Sequence, residues 1–220
     1  MNCEQAYSKY PQHHKWFNKL YVAELFGYDC GPCGTAPTKD GTYIVRPIYN
    51  LSGMGVGAKV LQLSAGDLRR TPPGYFWCEY LTGKHYSADY TWKGDRDFTT
   101  GEWLQAWEGT SCWEGTNMPI NLTKFIEWKR SSYIPEVPEK LNSLRDVNKI
   151  NIKFKGNRVI EVHLRSTPDP AYDHVIPVWA TDDYMKRQHF ESHGFKYVVD
   201  PDDADGHIDQ ADARLGFLVK

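Results

Sequence analysis

No stretch of this chain is apolar for long enough to cross a bilayer, whose hydrocarbon core asks for about 20 predominantly apolar residues in a helix. The start Met-Asn-Cys-Glu-Gln carries no signal-peptide pattern, so no membrane partner is expected and the cytoplasm is the expected location. A surplus of charge of one sign is missing too: 26 Lys and Arg stand against 28 Asp and Glu, a net −2. That balance argues against a coat for nucleic acid or an anionic membrane surface. Internal repeats and low-complexity tracts are absent. The five cysteines, Cys3, Cys30, Cys33, Cys78 and Cys112, are an odd number, which argues for free thiols rather than a disulfide framework.

Several familiar motifs are present only in part. Cys30-Gly-Pro-Cys33 is worded like a redox motif, but a helix is expected to end just before it and loop chemistry to follow, so no helix N-terminus would activate the first thiol. Its spacing also suits zinc, yet no second Cys-x-x-Cys exists, and a tight turn with two buried thiols is the expectation. Asp203, Asp205, Gly206, Ile208 and Asp212 fall on positions of a calcium loop whose first ligand would be Pro201, so a solvated acidic segment is expected instead. A P-loop would need Gly-Lys-Ser/Thr opening a helix, and a dinucleotide fingerprint a parallel sheet; neither context occurs.

What is present is a cation-bearing strand running into glycines. Thr42 to Ile48 is rich in β-branched and aromatic residues, and the strand pattern resumes at Ala58 to Leu63, so Ser52, Gly53, Gly55 and Gly57 sit in a hairpin. Such a loop can turn several backbone N–H groups toward an anion, with Arg46 adding a fixed charge beneath it. Asn18 to Gly27 has apolar positions at helical spacing and places Lys19 at the start of a short helix. Gly74 to Gly83 reads as a hydrophobic strand ending in a linker, and Tyr86 to Trp92 alternates as a strand. Ile150 to Leu164 reads as a hairpin turning at Gly156-Asn157, its second strand presenting Glu161, His163 and Arg165 on one face. A glycine loop and a carboxylate, imidazole and guanidinium together suggest a nucleotide with its metal.

In the serial order of these parts the chain resembles the ATP-grasp superfamily of carboxylate-activating ligases, over roughly residues 14 to 180. The resemblance implies an α+β fold, two lobes with mainly antiparallel sheets sandwiching a nucleotide. It implies ATP with Mg2+ or Mn2+ as cofactors, and a small-molecule or peptide carboxylate substrate joined to an amine or thiol acceptor with release of ADP and phosphate. Lys19 and Arg46 would contact phosphates together with Ser52, Gly53, Gly55 and Gly57, and the hinge Glu79, Tyr80 and Leu81 would clasp adenine. Glu161 matches a metal-bridging carboxylate; His163 stands where the family has asparagine, and Asn151 where it has an acidic ligand. Arg46 and Arg165 would act in catalysis, Arg165 holding the carboxylate or its acyl phosphate. His85 stands where relatives often have an acidic residue facing ribose. With Asn151 and His163 in place of the usual ligands the metal site has less negative charge than the family norm, and imidazole suits transition ions better than magnesium. A catalytically degenerate nucleotide-binding or structural protein is therefore the alternative.

The expected organisation is a helical entry over 1–40, a glycine-loop lobe and hinge over 41–95, and a metal-strand lobe with a C-terminal helix and tail over 96–220. Helices are expected at Lys124 to Arg130, Glu139 to Asp146 and Asp182 to Gly194. Only residues 1–18 precede Lys19, where full-length ATP-grasp ligases have a further domain, so the resemblance is to a compact form that recruits its substrate through its two lobes, a partner or a second copy in a homo-oligomer. The eight tryptophans and fourteen tyrosines are not interleaved with a basic stripe, and packing is their expected role.

Overall fold

Asparagine opens both N-terminal helices. The Asn2 side chain accepts from the Gln5 N–H at 2.9 Å while Gln5 reaches back to the Asn2 N–H, a reciprocal cap that starts helix α1, Cys3–Lys9. A 3-10 turn follows over Pro11–Phe17, and Asn18, bonded to the Tyr21 N–H at 2.9 Å, starts α2, Lys19–Leu25. This computed structural model describes residues 1–49, 57–68, 70–96, 103–117, 126–167, 172–179, 184–199 and 214–220.

Twelve strands occur among the described residues, in two antiparallel sheets. The first sheet contains β1 (Cys30–Pro32), β2 (Gly41–Pro47), β3 (Lys59–Leu63) and β4 (Tyr75–Glu79) in the order β1-β4-β2-β3. The second contains β5 (His85–Arg96), β6 (Trp103–Asn117), β7 (Ile126–Arg130), β8 (Lys149–Lys155), β9 (Arg158–His163), β10 (His174–Trp179), β11 (Lys196–Val199) and β12 (Arg214–Val219). Their order is β11-β12-β10-β7-β6-β5-β8-β9, and α3, Tyr184–Ser192, joins β10 to β11 in sequence. The fold is α+β with mainly antiparallel sheets.

Period-two alternation decides which side chains meet. In the first sheet Ile44, Phe76 and Cys78 pack on Leu20 and Ala23 of α2, while Tyr43, Val45, Leu63 and Trp77 cluster together. In the second, Ala88, Tyr90, Ile150, Ile152, Phe154, Val162 and Leu164 join Trp16, Phe17, Val22, Leu141 and Leu144 in the largest buried cluster. Strand β9 is an edge, and an edge leaves carbonyls without sheet partners. The Tyr28 hydroxyl donates to Val159 O at 2.9 Å and Arg46 Nη2 to Ile160 O at 3.0 Å, so side chains from the first sheet and the segment before it close the edge of the second.

Between the sheets the chain passes through Gly83, whose φ of +113° and contact with the β8–β9 turn both require glycine: a Cβ there would lie 2.9 Å from Gly156 N. Gly156 N in turn donates to Lys84 O at 2.8 Å.

Three local expectations are corrected. Ile126–Arg130 is strand β7 rather than helix, because Trp128 alternates with Glu127 and Lys129 and is buried between β6 and β10. Glu139–Leu144 is a 3-10 turn, which the burial of Leu141 and Leu144 at a spacing of three residues explains. Cys30 opens strand β1 and pairs opposite Cys78, with Cys33 exposed beyond it, so the segment is not a turn enclosing two buried thiols. The helix expected over 182–194 is α3, followed by Gly194 at φ +85°. The calcium-loop look-alike lies outside the described residues. Residues 85–95, expected with the glycine-loop lobe, run within β5 of the eight-stranded sheet.

Candidate functional site at the junction of the sheets

The face of β5, β8 and β9 opposite the large cluster carries Ser87, Asp89, Asn151, Lys153, Glu161 and His163 by the same alternation. Register sets them side by side: Asp89 opposite Asn151, Asn151 opposite His163, and Lys153 opposite Glu161. Ser87, Asp89, Asn151 and His163 are all buried, and a buried polar side chain is costly unless paired.

Two cations reach this face from the other side. The Lys19 N–H donates to Ile48 O at 2.9 Å, which fixes the start of α2 beside the end of β2 and hence beside Arg46. The Lys19 ammonium forms a direct, buried ion pair with Glu161 Oε1. Burial lowers the pKa of Lys19, Arg46 and Lys153 lower it further, and Glu161 opposes them. Burial would raise the Glu161 carboxyl, but Lys19, His163 and Lys153 hold it well below the usual carboxylate range. Lys19 and Lys153 thus act on the Glu161 carboxylate, while Arg46 bonds the neighbouring Ile160 carbonyl.

Farther along β9, His163 Nε2 lies 3.6 Å from Glu161 Oε1, beyond hydrogen-bond length, and has no hydrogen-bond partner among the described residues. Its Nδ1 is 3.4 Å from Cys3 Sγ, and Arg165 aims both Nε (3.2 Å) and Nη2 (3.0 Å) at the same sulfur. Asp89 accepts from Asn151 Nδ2 at 2.9 Å, Thr167 N at 2.8 Å and Ser111 Oγ at 3.2 Å. Burial nevertheless raises the pKa of Asp89 against those hydrogen bonds. A cavity of about 10 Å³, on the scale of one water, lies among Cys3, Trp16, Phe17, Lys19, Glu161 and His163.

Of the expected site residues, Lys19, Arg46, Glu161, His163 and Arg165 gather at or beside β9. Asn151 lies on the same face but its amide is turned to Ser87, the Ala88 carbonyl and Asp89. Glu79, Tyr80 and Leu81 end β4 and follow it; the N–H groups of Glu79 and Tyr80 are bonded to Asp29 O and Thr42 O, and the Glu79 carboxylate faces Arg158 at 3.6 Å. Gly57 has φ +79°, with Tyr75 Oη 2.6 Å from where a Cβ would stand. Ser52, Gly53 and Gly55 lie outside the described residues. His85 is buried against Trp128, 5.0 Å between ring centroids.

A divalent cation does not fit Glu161, His163 and Asn151 as arranged. Lys19 holds the carboxylate, Asn151 is engaged elsewhere, and no group of three or more His, Cys, Asp or Glu side chains suited to a metal occurs among the described residues.

Sequence reading missed Lys153, Asp89 and Cys3. Lys153 and Asp89 are each the polar member of an alternating strand, a signal present at Asn151-Ile-Lys-Phe154 and Ser87-Ala-Asp-Tyr90. For Cys3 no local signal exists, because its partners lie about 160 positions away.

Comparison with known proteins gives short or distant likenesses. No family model matches the chain. One of the component proteins of the NADH-quinone oxidoreductase of Saccharopolyspora erythraea is 32% identical over 94 residues, 39% of this chain and 36% of that protein. The chain thus spans about a third of that curated relative. Its structural neighbours include ATP-grasp proteins. A putative ATP-grasp superfamily protein from Archaeoglobus fulgidus matches at TM-score 0.38 and 12% identity, over 70% of this chain and 47% of that one. The ATP-grasp ligase PsnB, complexed with a minimal precursor, matches at 0.38 and 14%, over 71% and 54%. The N5-carboxyaminoimidazole synthase of Aspergillus clavatus, in complex with ADP and 5-aminoimidazole ribonucleotide, matches at 0.47 and 7%, over 98% and 72%.

Proposed function

We propose that the junction between the sheets receives the polyphosphate of ATP and that the protein is an ATP-dependent ligase, activating a carboxylate as an acyl phosphate and joining it to an amine or similar nucleophile. The observation that carries this reading is the gathering of cations at one end of β9: Lys19 pairs with Glu161, Lys153 stands opposite Glu161 in the sheet register, and Arg46 bonds the neighbouring Ile160 carbonyl. Phosphoryl transfer asks a protein chiefly to position its reactants and to neutralise spreading negative charge. Lys19 and Arg46 would exchange Glu161 and the Ile160 carbonyl for phosphate oxygens. Arg165, whose planar fork now faces Cys3, would hold the substrate carboxylate bidentately. No step is assigned to a metal.

The experiment is a thermal-shift titration with ATP and ADP, with and without Mg2+ or Mn2+, on the intact protein and on Arg46→Met and Lys153→Met. Stabilisation by nucleotide that weakens in both variants supports the reading; no stabilisation at millimolar nucleotide overturns it. A second reading, a nucleotide binder without catalysis, is favoured by the pairing of Glu161 with Lys19 and of Asn151 with Asp89. Nucleotide binding with no ADP release across a panel of carboxylates and amines selects it. ADP release that Glu161→Gln removes selects the ligase.

A further inference from the structure

Cys3 differs from every other cysteine of the chain in the company it keeps. Its sulfur accepts from two N–H groups of one guanidinium, at 3.2 and 3.0 Å, and stands 3.4 Å from an imidazole nitrogen. Arginine has no acceptor, so at both contacts the sulfur is the acceptor. A thiol accepts weakly and a thiolate strongly, so a paired guanidinium contact is geometry that selects the anion. The sulfur is buried but borders the small cavity shared with Lys19, Glu161 and His163, which suits a reagent of a few atoms and no larger.

We propose that Cys3, held by Arg165 and His163, is a nucleophilic thiolate and the chain's site of oxidation by small peroxides. The sulfur lone pair attacks one oxygen of hydrogen peroxide, the S–O bond forms as the O–O bond breaks, and the peroxide is reduced by two electrons. The proton on the attacked oxygen stays in the sulfenic acid, and the departing hydroxide takes a proton from solvent. The other thiols provide contrast. Burial pushes Cys30 up to about 11 and Cys78 and Cys112 up to about 12. For Cys3 burial also acts upward, but the hydrogen bond and charge of His163 and the charge of Arg165 outweigh it and bring the thiol down to about 7. Cys33 is exposed and serves as the accessible reference.

The proposal does not rest on nucleotide binding, and its test needs no turnover. The full chain is treated with hydrogen peroxide at pH 7, timed aliquots are freed of peroxide and then unfolded in denaturant containing dimedone, and the sulfenic adduct at each cysteine is followed by peptide mass spectrometry. The expected result is Cys3 labelled faster than Cys33 and at least roughly tenfold faster than Cys78 and Cys112, with Arg165→Met slowing Cys3 alone by about tenfold. If Arg165→Met does not fold, the ranking of the five cysteines in the unaltered chain decides by itself. Labelling confined to Cys33, or a Cys3 rate equal to that of Cys78 and Cys112, overturns the proposal. So does an unchanged Cys3 rate in folded Arg165→Met.

Discussion

The two faces of β5, β8 and β9 are built from the same strands and are both largely shielded from water, yet they do opposite things. One presents Ala88, Tyr90, Ile150, Ile152, Phe154 and Val162 to the N-terminal helices and to Leu141 and Leu144, and stabilises by removing apolar surface from water. The other presents Ser87, Asp89, Asn151, Lys153, Glu161 and His163, where burial stabilises nothing unless each group finds a partner. Two lysines acting on the one Glu161 carboxylate, a raised Asp89 and a His163 nitrogen without a hydrogen bond among the described residues show how incompletely that is met. The contrast separates residues that hold the fold from residues that the fold holds in place, and perturbed ionisable groups concentrate among the second.

The sharpest way to break this contrast is to remove one member of the Lys19–Glu161 pair. Glu161→Leu leaves a buried ammonium alone and is expected to cost about 3–5 kcal/mol in urea denaturation, while Lys19→Met with Glu161→Leu is expected to be neutral or stabilising. The double variant is expected to lose nucleotide-dependent stabilisation, so stability and binding move in opposite directions. A double variant as unstable as the single would show that the pair belongs to the scaffold. On the apolar face Leu144→Ala, at a fully buried position, is expected to cost about 2–5 kcal/mol and to leave residual binding intact when measured below the unfolding transition.

Acid titration compares two carboxylates within the polar face. Glu161 has its folded pKa depressed, so its contribution is present above the ordinary value of 4.5 and is lost as pH falls through the folded value. Asp89 has its folded pKa raised, so its contribution is present below the ordinary 3.8 and is lost as pH rises through the folded value. Relative to the unaltered chain, Glu161→Gln is therefore expected to gain stability as pH falls below about 4.5, and Asp89→Asn as pH rises above about 3.8, in denaturant melts from pH 3 to 7. Parallel profiles for the two variants would erase the distinction. The smallest effect is expected for the exposed pair Arg187–Glu191 on α3, where Glu191→Gln should change stability by only about 0.2–0.5 kcal/mol and less in high salt.

Much of the fold is legible in the sequence because strands announce themselves by alternation and glycine. The β2–β3 and β8–β9 hairpins, with Gly57 and Gly156 at positive φ, follow from Thr42 to Ile48, Ala58 to Leu63 and Ile150 to Leu164. Lys19 is readable from its cap and Arg46 from its strand. The partners of those charges are not. The pairing of Lys19 with Glu161, and of Cys3 with His163 and Arg165, joins ends of the chain about 140 to 160 residues apart and leaves no local pattern. The strand at Ile126–Arg130 reads as a helix because its alternation spans only five residues, too few to tell a period of 2 from one of 3.6.

Gly83 and Gly156 touch where one sheet hands the chain to the other, and the Gly156 N–H is fastened to Lys84 O. The crossover is therefore clipped to the tip of the hairpin whose far strand carries Glu161. Glu161 is thereby tied to the smaller sheet at two places, through this clip at the hairpin tip and through the Arg46 bond to Ile160 O beside it.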